Sequence, residues 1–188
     1  MKNLNSAMAT LIVFIVIAAN AAAGATEKKD STSSKTCLEV TGVAVDGNSK
    51  PIDGATITLF KENDEMEWIQ VTSVVYHEHS FSFKLDVNEY YTIEISKPGF
   101  VTRSVGISTT MPSNVSLEEL FRYEFEVEMF KERKNVDDYY LDFPVALISY
   151  SAKHDVFDNN YAYTKHIKSK ISEAENVARG EGTAQQNK

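Results

Sequence analysis

Between residues 38 and 129 apolar and polar positions alternate in short bursts, separated by turn-forming residues. In Tyr90-Tyr91-Thr92-Ile93-Glu94-Ile95-Ser96, the apolar Tyr91, Ile93 and Ile95 alternate with Thr92, Glu94 and Ser96. A period of two gives a strand one buried and one wet face. Pro98 presets φ for the first corner of a turn, and Gly99 supplies the positive φ that a type II turn needs next. Lys97-Pro98-Gly99-Phe100 therefore closes one strand and opens another. Upstream, residues 38–45, 52–60, 68–76 and 81–85 read as four strands, with Gly42 marking a bulge in the first. Residues 100–109 read as the sixth. Phe121, Tyr123, Phe125, Val127 and Met129 alternate with Arg122, Glu124, Glu126 and Glu128, which predicts a strand added to a sheet edge. Residues 143–150 predict one more, with Pro144 at its start because a proline inside would remove a ladder donor. Only then does the period change. Tyr163, Ile167 and Ile171 recur at i, i+4 and i+8, and predict an amphipathic helix over 158–180, capped by Asp158 or Asn159.

Short strands every ten or so residues with no helical period from 37 to 112 predict an all-β fold, an antiparallel sandwich of the Ig-like or transthyretin-like kind. A C-terminal β extension and a short terminal helix follow. The expected divisions are a signal peptide at 1–25, a disordered leader at 26–36, the sandwich at 37–112, an extension packed on it at 113–157, the helix at 158–180 and a disordered tail at 181–188. The signal rests on Lys2, the apolar run at 8–17 and the small residues at 18–25, a run too short to span a bilayer comfortably. Cleavage is expected after Ala23 or Ala25. The loop at 131–138 is expected to be charged and mobile.

Four stretches carry a family resemblance. Val40-Thr41-Gly42-Val43-Ala44-Val45, Lys50-Pro51-Ile52-Asp53-Gly54-Ala55-Thr56-Ile57, Phe81-Ser82-Phe83, and residues 91–100 through Lys97-Pro98-Gly99-Phe100 together resemble the carboxypeptidase regulatory-like domain. The resemblance implies a transthyretin-like sandwich, non-catalytic where it accompanies a peptidase. One departure stands out: the family's T-x-x-x-G turn before the F-x-F strand is replaced by Tyr76-His77-Glu78-His79, which lacks the glycine. The C-terminal part is similar to the extensions that follow such domains in envelope proteins of Gram-negative bacteria. The resemblance therefore implies export to the periplasm or cell surface of such an organism.

Charge narrows the partners. The formal net charge is −8, and removal of Lys2 with the signal leaves 18 basic against 27 acidic residues. No basic cluster offsets this, so nucleic acid is not an expected partner. No apolar span follows the signal. Cys37 is the only cysteine, which excludes an internal disulfide. It lies about a dozen residues too late for a lipidation signal and reads as a small buried residue. The core must then come from apolar side chains, and ten Phe and nine Tyr can supply it.

Candidate chemistry is sparse. His77 and His79 share one face of an extended segment and could present two metal ligands, but an exposed polar turn is the better reading, and no metal or other cofactor is expected. Residues 155–160 hold oxygen ligands without the spacing, glycine or closing glutamate of a calcium loop. Glu124, Glu126 and Glu128 read as a solvated face that also blocks edge-to-edge pairing. A hydroxyisourate hydrolase of transthyretin-like fold would need a Tyr-Arg-Gly-Ser ending, whereas this chain ends Gln185-Gln186-Asn187-Lys188. The expectation is therefore not an enzyme but a non-catalytic accessory or protein-interaction module of the envelope. Trp68, Tyr76, Tyr90, Tyr139 and Tyr140 are the candidate binding surface, for an envelope protein or a glycan. The alternative is a carbohydrate- or small-ligand-binding module using the same exposed aromatics.

Overall fold

The computed structural model describes residues 35–77, 80–132 and 139–178. The chain divides into two units at Thr32 and Ser33, and the first lies wholly outside the described residues. The second holds β1 (Thr36–Val45), β2 (Thr56–Glu62), β3 (Trp68–Val75), β4 (Phe81–Asp86), β5 (Tyr90–Ser96), β6 (Arg103–Ser108), β7 (Phe121–Glu128), β8 (Ala146–Ser151), β9 (Val156–Asn159) and α1 (Tyr161–Ala178). The strands form two sheets, one ordered β4-β1-β7 and the other β3-β2-β5-β6-β8-β9.

Alternation in sequence becomes layering in space. Ile57 and Leu59 of β2, Tyr91, Ile93 and Ile95 of β5, and Val105 and Ile107 of β6 are buried against Leu38 and Val40 of β1 and Phe81, Phe83 and Leu85 of β4. Each such aliphatic side chain, fully buried, contributes about 1.5–3 kcal/mol. The expected β-sandwich with one terminal helix is the fold observed.

Several details differ from expectation, each for a physical reason. Two pairings, β1 with β7 and β6 with β8, are parallel, while the other five are antiparallel. Parallel neighbours need a long connection, and between β6 and β8 it is supplied by the stretch that passes through β7 in the small sheet. β7 is the edge strand that its alternation announced. Gly42 is not a bulge: it stays in register with both neighbours, opposite Phe81 and Phe125, and the irregularity lies between Thr36 and Leu38. Residues 156–159, expected to end the extension at 157 and begin the helix at 158, form β9, because Phe157 buries its ring against Phe121 and Tyr150. That shifts the helix start. Asn160 is the cap, its side-chain oxygen accepting the Tyr163 N–H at 3.1 Å.

The Lys97 turn is as expected. Gly99 has φ +79° and the Phe100 N–H donates to the Lys97 carbonyl at 3.0 Å. The signal peptide, the tail at 181–188 and most of the 131–138 loop lie outside the described residues. Among the described residues no helix is long and apolar enough to cross a membrane.

Candidate functional site

The small sheet has three strands and the large one six, so the small sheet cannot cover the whole inner face. On the β7 side the uncovered strip is bounded by α1, which packs on β8. The result is a groove of about 1050 Å³ with β7 as one wall, β6 and β8 as floor and α1 as the other wall. Ile167 and Ile171 dock the helix, and the Tyr163 hydroxyl fixes its start by donating to the Pro144 carbonyl at 2.9 Å.

The groove is apolar below and charged above. Val105, Val145 and Ile148 form its floor, with Phe125, Val127 and Met129 along the β7 wall. Arg103 interrupts that floor. It occupies an inward position of β6, in phase with Val105 and Ile107, and is only 4% exposed. Its guanidinium carbon lies 5.0 Å from the centre of the Phe130 ring, a cation–π distance. Exposed Lys168 of α1 and Lys131 beyond β7 add two more positive charges to the lining. The acidic side chains of the lining sit on its outer rim: Glu124, Glu126 and Glu128 occupy the exposed positions of β7. Asp46, at one end, accepts the N–H groups of Asn48 and Lys50, which lowers its carboxyl below the ordinary value. Tyr123 also lines the groove. Burial, then Tyr161 and Asp158 nearby, raise its phenol above the ordinary value and keep its hydroxyl a donor.

The five aromatics singled out from sequence do not share one surface, and only Tyr139 and Tyr140 meet. Tyr76 is 2% exposed and belongs to the core, edge-on to Phe81. Trp68 is half exposed opposite Glu62, whereas Tyr90 lies two strands away opposite Ser108. Tyr139 meets Tyr140 and Phe143 edge-on, at ring distances of 5.0 and 5.4 Å, in the segment before β8. Burial of Tyr76 has a local cause: it follows β3, and its N–H donates to Ala55 inside the sandwich.

The His77 Nδ1 sits 3.0 Å from the Asp53 carboxylate in an exposed position, and His79 lies outside the described residues. Among the described residues no three histidine, cysteine or acidic side chains are gathered around one point. Cys37 is buried, and desolvation together with Asp86 pushes its thiol up to about 11.

No family model matches the chain. No curated protein matches it either. Similar solved structures include 3-chlorocatechol 1,2-dioxygenase from Rhodococcus opacus, with TM-score 0.40 and 10% identity over 55% of this chain and 62% of that one. Catechol 1,2-dioxygenase from Pseudomonas arvilla gives TM-score 0.40 and 12% identity, covering 56% and 55%. Hydroxyquinol 1,2-dioxygenase from Pseudomonas putida gives 0.38 and 10%, covering 52% and 57%. The chain thus spans between about half and two thirds of the length of these proteins.

These neighbours are named as enzymes, and they overturn two expectations: that the chain is not an enzyme, and that it is a non-catalytic accessory or protein-interaction module. The alternative module built on exposed aromatics falls with them, and the five side chains do not share one surface. At such TM-scores and identities the likeness carries no activity, metal or substrate to this chain.

Proposed function

We propose that the chain binds an amphiphilic organic anion, an apolar body with one carboxylate or sulfonate head, in the groove between β7 and α1. The observation that carries this reading is Arg103 in the otherwise apolar floor of the groove. A guanidinium remains charged at every accessible pH, and on a desolvated floor it attracts an opposite charge more strongly than it would in water. An anionic head would add such a charge, while Val105, Val145 and Ile148 receive the apolar body. Concave, mostly apolar sites with a few convergent polar groups are what small molecules fill, and the volume suits one.

Calorimetric titration with dodecanoate and with dodecyltrimethylammonium tests this. Dodecanoate should bind at one site and weaken with salt, and the cationic amphiphile should bind at least about tenfold more weakly. Lys168→Glu should weaken dodecanoate selectively, and Ala146→Trp should block both by filling the floor. Equal affinity for the two amphiphiles, or binding indifferent to both substitutions, would sink the reading.

We also propose that the chain is a member of the carboxypeptidase regulatory-like group and is exported. The motif stretches support membership, since they fall on β1, on β2 with the segment before it, on β4, and on β5 with its turn. The apolar run and small residues of the first 25 positions support export. N-terminal sequencing of the protein from an envelope fraction tests export, with an intact Met1 as the contrary result.

A further inference from the structure

On the opposite side of the sandwich from the groove, β3 ends the large sheet and pairs, among the described residues, only with β2. Trp68-Ile69-Gln70-Val71-Thr72-Ser73-Val74-Val75 carries no charged side chain, in a chain of net charge −8. Its apolar residues are exposed on both faces: Trp68 50%, Ile69 52%, Val71 54%, Val74 40% and Val75 56%. Edge strands are ordinarily shielded by lysine, proline or inward charge. The free edge of β7 carries three glutamates, but β3 carries none.

We infer that β3 is the contact between two copies of this chain, pairing antiparallel with itself about a two-fold axis to join the large sheets edge to edge. The register supports a second copy rather than another strand. β2 pairs Ile57 with Val74, Leu59 with Thr72, Phe60 with Gln70 and Lys61 with Ile69, so Val71 is an extra residue bulged into β3. In a strand without that insertion, Ile69 and Val74 would point to opposite faces. With it, both point to the inner face, alongside the buried Ile57 and Leu59, while Trp68, Gln70, Ser73 and Val75 point outward. Directly opposed residues of an antiparallel pair share a face. A two-fold between Val71 and Thr72 then sets Ile69 of each copy against Val74 of the other on the inner face. Outside, Trp68 meets Val75 and Gln70 meets Ser73. The outer pairs set apolar against apolar and polar against polar, the central pair sets Val71 against Thr72, and Glu67 falls opposite Tyr76 rather than a second carboxylate. An isologous contact has to be self-complementary in this way, and two acidic chains can approach only through an uncharged patch.

Sedimentation equilibrium of the full chain tests this. A reversible dimer should appear by concentrations on the order of 100 µM, as suits a contact of one strand pair and a few side chains. Ile69→Lys and Val71→Lys should each weaken it at least about tenfold, since the symmetry introduces every lysine twice. Melting temperature and circular dichroism report that each variant is folded, and Val156→Lys, at an exposed apolar residue of β9, serves as the neutral control. The register is read separately by combining Gln70→Cys with Ser73→Cys, which should give a covalent dimer on mild oxidation. One copy cannot join these two positions, because three steps of strand hold them about 10 Å apart. A chain that remains monomeric at about 1 mM, a dimer indifferent to both lysines, or a dimer that the two cysteines fail to cross-link would overturn the inference.

Discussion

The ring of Phe81 occupies the space that a Cβ on Gly42 would need, with its Cζ 2.2 Å from that position. Gly42 is required for that reason and not by its own backbone dihedrals. The ring also meets Phe125 of β7 edge-on at 5.8 Å, so the contact reaches the groove wall. Gly42→Ala should destabilise by about 1–3 kcal/mol, the usual cost of overpacking a filled core. Phe81→Leu in the same chain should recover part of the loss. Urea titration of the two single variants and the double measures it. Additive effects would mean that the two residues do not share the space.

Gly99 presents the opposite case. A Cβ there would meet nothing within 4 Å, and only its φ of +79° resists substitution. Gly99→Val should cost roughly 1–3 kcal/mol. Pro98→Ala should cost less, about 0.4–1 kcal/mol, because it acts by freeing the unfolded chain. Denaturant titration gives the order, and equal effects would contradict the turn.

Thr109 is fully buried, and its hydroxyl ties two segments together. It donates to the Asp86 carbonyl at 2.6 Å and accepts the Glu89 N–H at 2.8 Å, joining the end of β6 to the β4–β5 turn. Thr109→Val keeps the shape and strands both partners, so it should lose about 1–3 kcal/mol. Thr109→Ser retains the hydroxyl and should lose less. Thermal denaturation of the pair separates hydrogen bonding from packing.

Stability should decline in alkali over a defined window. The Cys37 thiol stays protonated in the fold to about 11, whereas an unfolded thiol ionises near 8.5. Below that lower value the contribution is fully present. As pH rises between the two, the unfolded chain sheds a proton that the folded chain keeps, so stability falls until the thiol ionises in the fold as well. Tyr91, raised first by burial, adds to the loss at the upper end. Cys37→Ala should give a shallower decline in melting temperature between pH 9 and 11, and an unchanged slope would assign the decline to other groups.

Asn160→Ala should cost about 0.5–2 kcal/mol by uncapping α1, and Asp158→Ala should cost less. The Asp158 carboxylate accepts the adjacent Asn159 N–H, which is not a helix-capping contact. Helix content by circular dichroism and melting temperature check the order. Binding of dodecanoate should weaken with the first substitution, because α1 carries Lys168 into the groove.

Most strands were legible because each buries one face, and a period of two leaves its mark on the sequence. β9 left no such mark. It is four residues long, with Phe157 alone turned fully inward, so its oxygen-rich neighbours looked like a loop. Parallel pairing was not legible either, since β7 shows the same alternation whichever direction β1 runs beside it. For the groove a signal did exist. Arg103 stands in phase with Val105 and Ile107, and a cation on the buried side of a strand is a stronger sign than an exposed tyrosine. Attention to aromatics led elsewhere, because exposure of Trp68 or burial of Tyr76 depends on how far the small sheet reaches over the large one. Sequence alternation does not report that distance.

The parallel pairing of β1 with β7 also orders events during synthesis. β1 is the middle strand of its sheet, yet Arg122, its partner at Glu39, is made 83 residues later. A nascent chain that has completed β6 can close the β1–β4 pair, but one flank of β1 must wait for β7 to leave the ribosome. Contacts so distant in sequence form slowly, and an unpaired strand edge is open to other chains in the interval. The interval ends when Phe121 reaches Leu38. Slowing elongation between residues 86 and 121 should therefore lower the soluble yield more than slowing it after residue 128.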